Sequence, residues 1–118
     1  MPASESMRAA ITLVWQCRTT CIETLYGHCL DMGGPHVAPA HVKAMTDCIQ
    51  ACQVCADFMT RGSEMHGVQC AACAEICDAC AKSCAAIDSP QMQRCAEVCR
   101  RCAGECREMS RMPVAAQA

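Results

Sequence analysis

The chain has 118 residues, a formal net charge of −2 at pH 7, and 15 cysteines against one Trp, one Tyr and one Phe. That length suits one compact domain spanning 1–118. The weak negative charge offers no field for phosphates, and so few rings leave no stacking platform for bases, which excludes nucleic acid as a partner. No stretch approaches the length of a membrane span, so no membrane association is expected. Met1 to Met7 lacks Lys and Arg, and the apolar run Ala9 to Trp15 is short and broken by Thr12. The start therefore does not read as a secretory leader, and a cytoplasmic, reducing location is expected. An odd cysteine count also forbids complete internal pairing.

Four helices are predicted in chain order, at about 6–32, 39–61, 64–87 and 90–110. The first stops at Gly33-Gly34-Pro35, a strong breaker. Its core-facing seam reads Met7, Ala10, Val14, Cys17, Cys21, Leu25, His28 and Met32. Cys29 lies beside that seam, on the ridge that continues from Cys21 through Leu25. A second apolar stripe, Ile11, Trp15, Ile22 and Tyr26, needs a cover, either within the bundle or at a subunit interface. The second helix opens at Pro39 and ends at Gly62, with His41, Met45, Cys48, Cys52, Cys55 and Met59 on its seam. The third carries Cys70, Cys73, Cys77, Cys80 and Cys84. After Ser89-Pro90, an N-cap and first-turn pair, the fourth carries Met92, Cys95, Cys99, Cys102, Cys106 and Met109. The tail 113–118 is expected to be disordered. Short connections make neighbouring helices antiparallel, so the expected fold is all-α, an up-down-up-down four-helix bundle with a cysteine-lined core.

Steps of three and four keep these thiols on one helical face. A packing role explains a lone buried cysteine but not five consecutive seam positions, where Ala or Leu would serve without the oxidation hazard. Thiolate is the metal-binding form, and many buried thiolates without cations would be prohibitively costly. A monovalent ion bound near one per thiolate leaves a neutral core, whereas a divalent ion on four thiolates leaves a doubly negative centre. Cu(I), soft and thiolate-seeking, is the expected cargo at multiple ions per chain. Residues three or four apart on a helix could share one two-coordinate ion. The natural local pairs are then Cys17 with Cys21, Cys48 with Cys52, Cys73 with Cys77, Cys80 with Cys84, Cys95 with Cys99 and Cys102 with Cys106. Cys55 and Cys70 are expected to be recruited across helices or into shared clusters, and Cys29 needs a partner from another helix.

The antiparallel order gathers His28, Met32, His41, Met45 and Met92 at one mouth, with His36 on the loop above. Neutral imidazole and thioether ligands hold Cu(I) less tightly than thiolate and suit an entrance. At the other end Met7, Met59, Met65, His66 and Met109 read mainly as an apolar plug. No nucleophile with an oriented base and no paired carboxylates face the seam, so no enzymatic activity is expected.

Taken together, His28-Cys29 followed by Met32, Met45-x-x-Cys48, the five-cysteine run from Cys70 to Cys84 and the four-cysteine run from Cys95 to Cys106 resemble the bacterial copper storage proteins. The resemblance covers about Ala10 to Met109. It implies multi-copper storage by core thiolates, mouth ligands at His28, Met32 and Met45, and a homotetramer that would cover the Trp15 stripe. The lack of a leader resembles the cytosolic branch. Leu25 and Met59 occupy seam positions where a thiol could sit. A copper chaperone is a candidate partner. Two alternatives stay open: a zinc or mixed-metal thiolate buffer, and a disulfide-cycling redox protein.

Overall fold

The computed structural model describes residues 4–113. Apart from Pro113, the tail expected to be disordered lies outside the described residues. Within them the chain forms four helical rods and no strand, in an elongated body of 49 × 18 × 17 Å. The first rod is composite: α1 (Glu5–Thr24), a π turn (Leu25–Cys29) and α2 (Leu30–Met32). Ser4 caps it by accepting a hydrogen bond from the Met7 amide at 3.2 Å. It ends at Gly33 and Gly34, whose φ values of 68° and 56° carry little penalty only for glycine. A short 3₁₀ turn (Gly34–Val37) leads to α3 (Pro39–Thr60), then α4 (His66–Ala85) and α5 (Pro90–Ser110). The expected start of the third helix at 64 moves to His66, because the Ser63 hydroxyl accepts from the Met65 amide and holds a turn there.

The buried positions of α4 and α5 explain the bundle. Cys70, Cys73, Cys77, Cys80 and Cys84 on α4, and Met92, Cys95, Cys99, Cys102, Cys106 and Met109 on α5, alternate steps of three and four as a heptad seam does. Ala74, Ala81, Ala96 and Ala103 are buried beside them. Small alanines widen the apolar face and let the rods approach closely enough for short thiols to meet. Contact partners run in opposite order along adjacent rods, as antiparallel neighbours require. Cys48 and Cys55 meet Cys77 and Cys70, while Cys77 and Cys80 meet Cys102 and Cys99. On the surface Arg107 of α5 pairs with Asp78 of α4. Among the described residues no helix is long and apolar enough to cross a membrane.

The π turn settles which residues of the first rod face inward. Leu25 and Cys29 are buried there, extending the inward line from Val14, Cys17 and Cys21. Successive steps of four overshoot an α-helical turn by about 40° each and would walk off the core. The π turn absorbs the drift with one extra residue: the Leu30 amide donates to the Leu25 carbonyl, five residues back. Consequently the seam expected through His28 and Met32 passes through Cys29 instead. Met32 is 59% exposed, and His28 is only half-buried.

Candidate metal centre

All fifteen cysteines are buried and free, along the shared interior of the four rods. Three sulfur groups stand out, each with every Sγ within 4.8 Å of the others: Cys17, Cys21, Cys48 and Cys99; Cys17, Cys52, Cys77 and Cys102; and Cys55, Cys73 and Cys106. Cys17 belongs to two of them. Cys70 extends the third, with its Sγ 3.4 Å from that of Cys55. Further along, Cys80 lies 3.7 Å from Cys99, and Cys95 lies 3.9 Å from Cys21.

Most of these close contacts cross between rods. Cys48 meets Cys77 at 3.7 Å, and Cys77 meets Cys102 at 3.7 Å. Among the expected local pairs, Cys73 and Cys77 approach directly at 3.8 Å, and Cys17 and Cys21 share the first group. The interior is thus a cross-linked set of sulfurs rather than six separate intrahelical clamps. Local spacing puts thiols on the seam; the rotation of one rod against another decides which thiols touch.

Electrostatics differ from one thiol to the next. Hydrogen bonds with Cys106, Cys70 and Cys73, then burial, push Cys55 up. Cys80 is pushed up in the same way by Cys21, Cys48, Cys84, Cys99 and burial. These thiols hold their protons until a cation replaces them. Cys48 behaves oppositely: its hydrogen bonding with Cys17, Cys21, Cys52 and Cys77 favours the thiolate and pulls it down against the effect of burial. Cys73, Cys99 and Cys102 are lowered as well, so Cys48 belongs to a subset of thiols prepared to meet the first incoming cations.

At one end the sulfur line changes character. Cys29 Sγ sits 3.7 Å from His41 Nε2 and 3.7 Å from Met92 Sδ, which makes a mixed thiol, imidazole and thioether set. Ser83 Oγ lies 2.7 Å from His41 Nδ1 and fixes the ring with Nε2 toward the thiol. Burial lowers the His41 pKa, which keeps the imidazole neutral and able to ligate. Above this set, His28 and His36 stack edge to face with ring centroids 5.0 Å apart. His28 Nε2 lies 3.3 Å from Ser89 Oγ, while His36 Nε2 is buried with no hydrogen-bond partner among the described residues. The Ser89 hydroxyl makes no capping bond to α5. Met45 is fully buried nearer the middle of the bundle. Ser83 and Ser89 were not legible as site residues; the available signal was a hydroxyl beside Cys84 and another before Pro90.

The far end is closed. Met7, Met59 and Met109 are buried there, and His66 places its ring nitrogens 3.2 Å from the Ser63 carbonyl and 3.1 Å from the Met109 carbonyl. His66 thus ties the start of α4 to the end of α5 and faces backbone rather than the sulfur line. Met65, expected in the plug, is 56% exposed.

A family model described as copper storage protein matches residues 3–111. Among solved structures, a Nitrosospira multiformis protein is 42% identical, with a TM-score of 0.86 over 90% of this chain and 95% of that one. The Cu(I)-bound copper storage protein BsCsp3 is 28% identical, with a TM-score of 0.83 over 90% and 99% of the two chains. The apo form of copper storage protein 3 from Bacillus subtilis is 27% identical, with a TM-score of 0.79 over 87% and 97%. No curated protein matches the chain.

Proposed function

The chain belongs to the copper storage protein family, and from that membership we propose that it stores Cu(I), many ions at a time, on the thiolates of its interior. The observation that supports this most is the convergence of all fifteen cysteines, buried and free, on one lumen. Each monovalent ion displaces a thiol proton and cancels a thiolate charge, so the core can fill without accumulating charge. Cu(I) also has the softness that thiolate and thioether ligands select.

The proposed ligands are Cys17, Cys21, Cys29, Cys48, Cys52, Cys55, Cys70, Cys73, Cys77, Cys80, Cys84, Cys95, Cys99, Cys102 and Cys106. His28, His41 and Met45 are proposed to assist, and Met92 joins them because its sulfur touches Cys29. Met32, exposed above the mouth, is at most a first contact. Ions enter past His28 and His36, meet Cys29, His41 and Met92, and pass inward to sulfur-only groups that hold them more tightly. The gradient from mixed to all-thiolate ligands gives the path its direction, and the closed His66 end gives it one opening.

The role is sequestration rather than catalysis, in a single-domain cytoplasmic protein. It assembles as a homotetramer that covers the half-buried Trp15 and the exposed Tyr26, and it receives copper from a chaperone. Anaerobic Cu(I) titration against a chelator of known affinity tests the reading. A capacity approaching the number of core thiols is expected, and saturation at one or two ions would overturn it. Changing Cys73, Cys77, Cys80 and Cys84 to Ser should remove several ions while helicity persists.

A further inference from the structure

The first two sulfur groups have a geometry that Cu(I) storage does not require. The group Cys17, Cys21, Cys48 and Cys99 has four edges at 3.9, 3.9, 3.9 and 3.6 Å. Its two remaining separations are within 4.8 Å. In the group Cys17, Cys52, Cys77 and Cys102, the edges Cys52–Cys77 and Cys77–Cys102 are 3.8 and 3.7 Å. A divalent ion bound tetrahedrally by thiolates at about 2.3 Å separates adjacent sulfurs by about 3.8 Å. Four mutually close sulfurs can thus enclose one tetrahedral ion with little movement. The second group draws one thiol from each of α1, α3, α4 and α5, so closing it adjusts every rod slightly rather than one rod greatly.

We propose that the two sulfur tetrads meeting at Cys17 form a binuclear site for divalent tetrahedral metal ions of the zinc class, with the Cys17 thiolate bridging the two ions. Sharing is forced by the structure, because Cys17 is the one sulfur common to both groups. Charge limits the site to those two ions. Seven thiolates around two dications leave about three negative charges uncompensated in a buried place, and each further dication on four thiolates would add two more. The third group, Cys55, Cys73 and Cys106, has three mutually close sulfurs, and Cys70, though 3.4 Å from Cys55, is not part of that mutually close set. The divalent mode therefore occupies the middle of the lumen and stops. Cu(I), which neutralises the same thiolates one for one, displaces both ions. The two modes draw on the same sulfurs, but the divalent one rests on tetrad geometry and does not depend on the copper reading.

The test uses reduced, metal-free full-length protein titrated anaerobically with Co(II), then with Zn(II) against a chelator. Two ions should bind, both with the intense visible bands of tetrahedral cobalt thiolate. The high-spin cobalt EPR signal should grow with the first ion and fall as the second arrives, because a bridging thiolate couples the two spins. Cys21→Ser should weaken the first tetrad and Cys52→Ser the second, each by tenfold or more, leaving one tight ion and an EPR signal that no longer falls. Cys17→Ser should weaken both. Cys84→Ser and Cys70→Ser, outside both tetrads, should keep two ions, and circular dichroism should show each variant helical. Six-coordinate cobalt spectra, an EPR signal rising unchanged to the last ion, or a capacity well beyond two would overturn the proposal. So would equal losses from Cys84→Ser and Cys52→Ser. A failed Co(II) titration beside successful Cu(I) loading would sink the binuclear site alone.

Discussion

At the scale of single residues, the thiols are chemically unequal although their sequence contexts look alike. Cys48 touches Cys17 and Cys21 at 3.9 Å and Cys77 at 3.7 Å, and its neighbours' hydrogen bonds favour its thiolate. Cys55 and Cys80 are held protonated by the same kind of contact. Cys48→Ser should therefore weaken the first Cu(I) equivalents by at least about tenfold, or about 1.4 kcal/mol, while Cys55→Ser mainly lowers capacity. Chelator competition at low copper occupancy separates these effects; equal weakening by both variants would contradict the ranking. Ser83 acts through another residue, holding the His41 ring at 2.7 Å with Nε2 toward Cys29. Ser83→Ala should slow copper uptake several-fold in stopped-flow transfer and leave final capacity unchanged.

At the scale of elements, the π turn marks where sequence reading and structure part company. The seams of α4 and α5 were legible because their steps of three and four match a straight α-helical face. The first rod was legible only to Cys21 and Leu25. Beyond them, α-helical spacing points to His28 and Met32, whereas one extra residue in the turn brings Cys29 inward. Cross-rod partners were legible for Cys29, Cys55 and Cys70, which lack a local mate, but not for the other thiols, since spacing fixes a face but not the rotation between rods. His66 was read as part of a plug, and its two carbonyl contacts depend on α5 reaching α4, which no local pattern encodes. If the turn is an inserted residue, deleting exposed Gly27 should restore a plain α-helix with Cys29 still inward. Stability should change by no more than about 1 kcal/mol, the scale of losing one helical glycine. Deleting Thr19, in regular α1, should rotate the remainder of the rod by about 100° and disrupt the core. Alkylation of Cys29 in native protein reads the outcome: protection is expected in the Gly27 deletion, and rapid labelling would refute the inserted-residue account.

At the scale of the whole molecule, the interior should couple folding, protons and metal. Cys84 is moved from 9.0 to about 12, with hydrogen bonding to Cys80 opposing the upward push from Cys95 and burial. Cys29 is moved from 9.0 to about 11, chiefly by burial and then by the charges of Cys84 and Cys95. Folded pKa values above unfolded ones give stability that is complete below about pH 9 and lost as pH climbs toward 11 and 12. The metal-free bundle should therefore lose thermal stability steadily above pH 9. His41 adds an acid limb: its lowered folded pKa means that the unfolded chain takes up a proton first, so stability also falls as pH drops below about 6.5. Copper-loaded protein, its thiolates already neutralised, should show a much flatter alkaline limb. Parallel alkaline limbs with and without copper would show that the thiols do not carry the coupling.

The central claim is that inward-facing sulfur, not the protein surface, holds the copper. Crystals of the protein loaded anaerobically with Cu(I) and measured at the copper absorption edge test it directly. The account predicts a chain of anomalous peaks along the bundle axis, each bounded by Sγ atoms and running from Cys29 toward Cys55 and Cys70. An empty lumen, with copper found only at exposed groups such as Met32 or Met65, would contradict it.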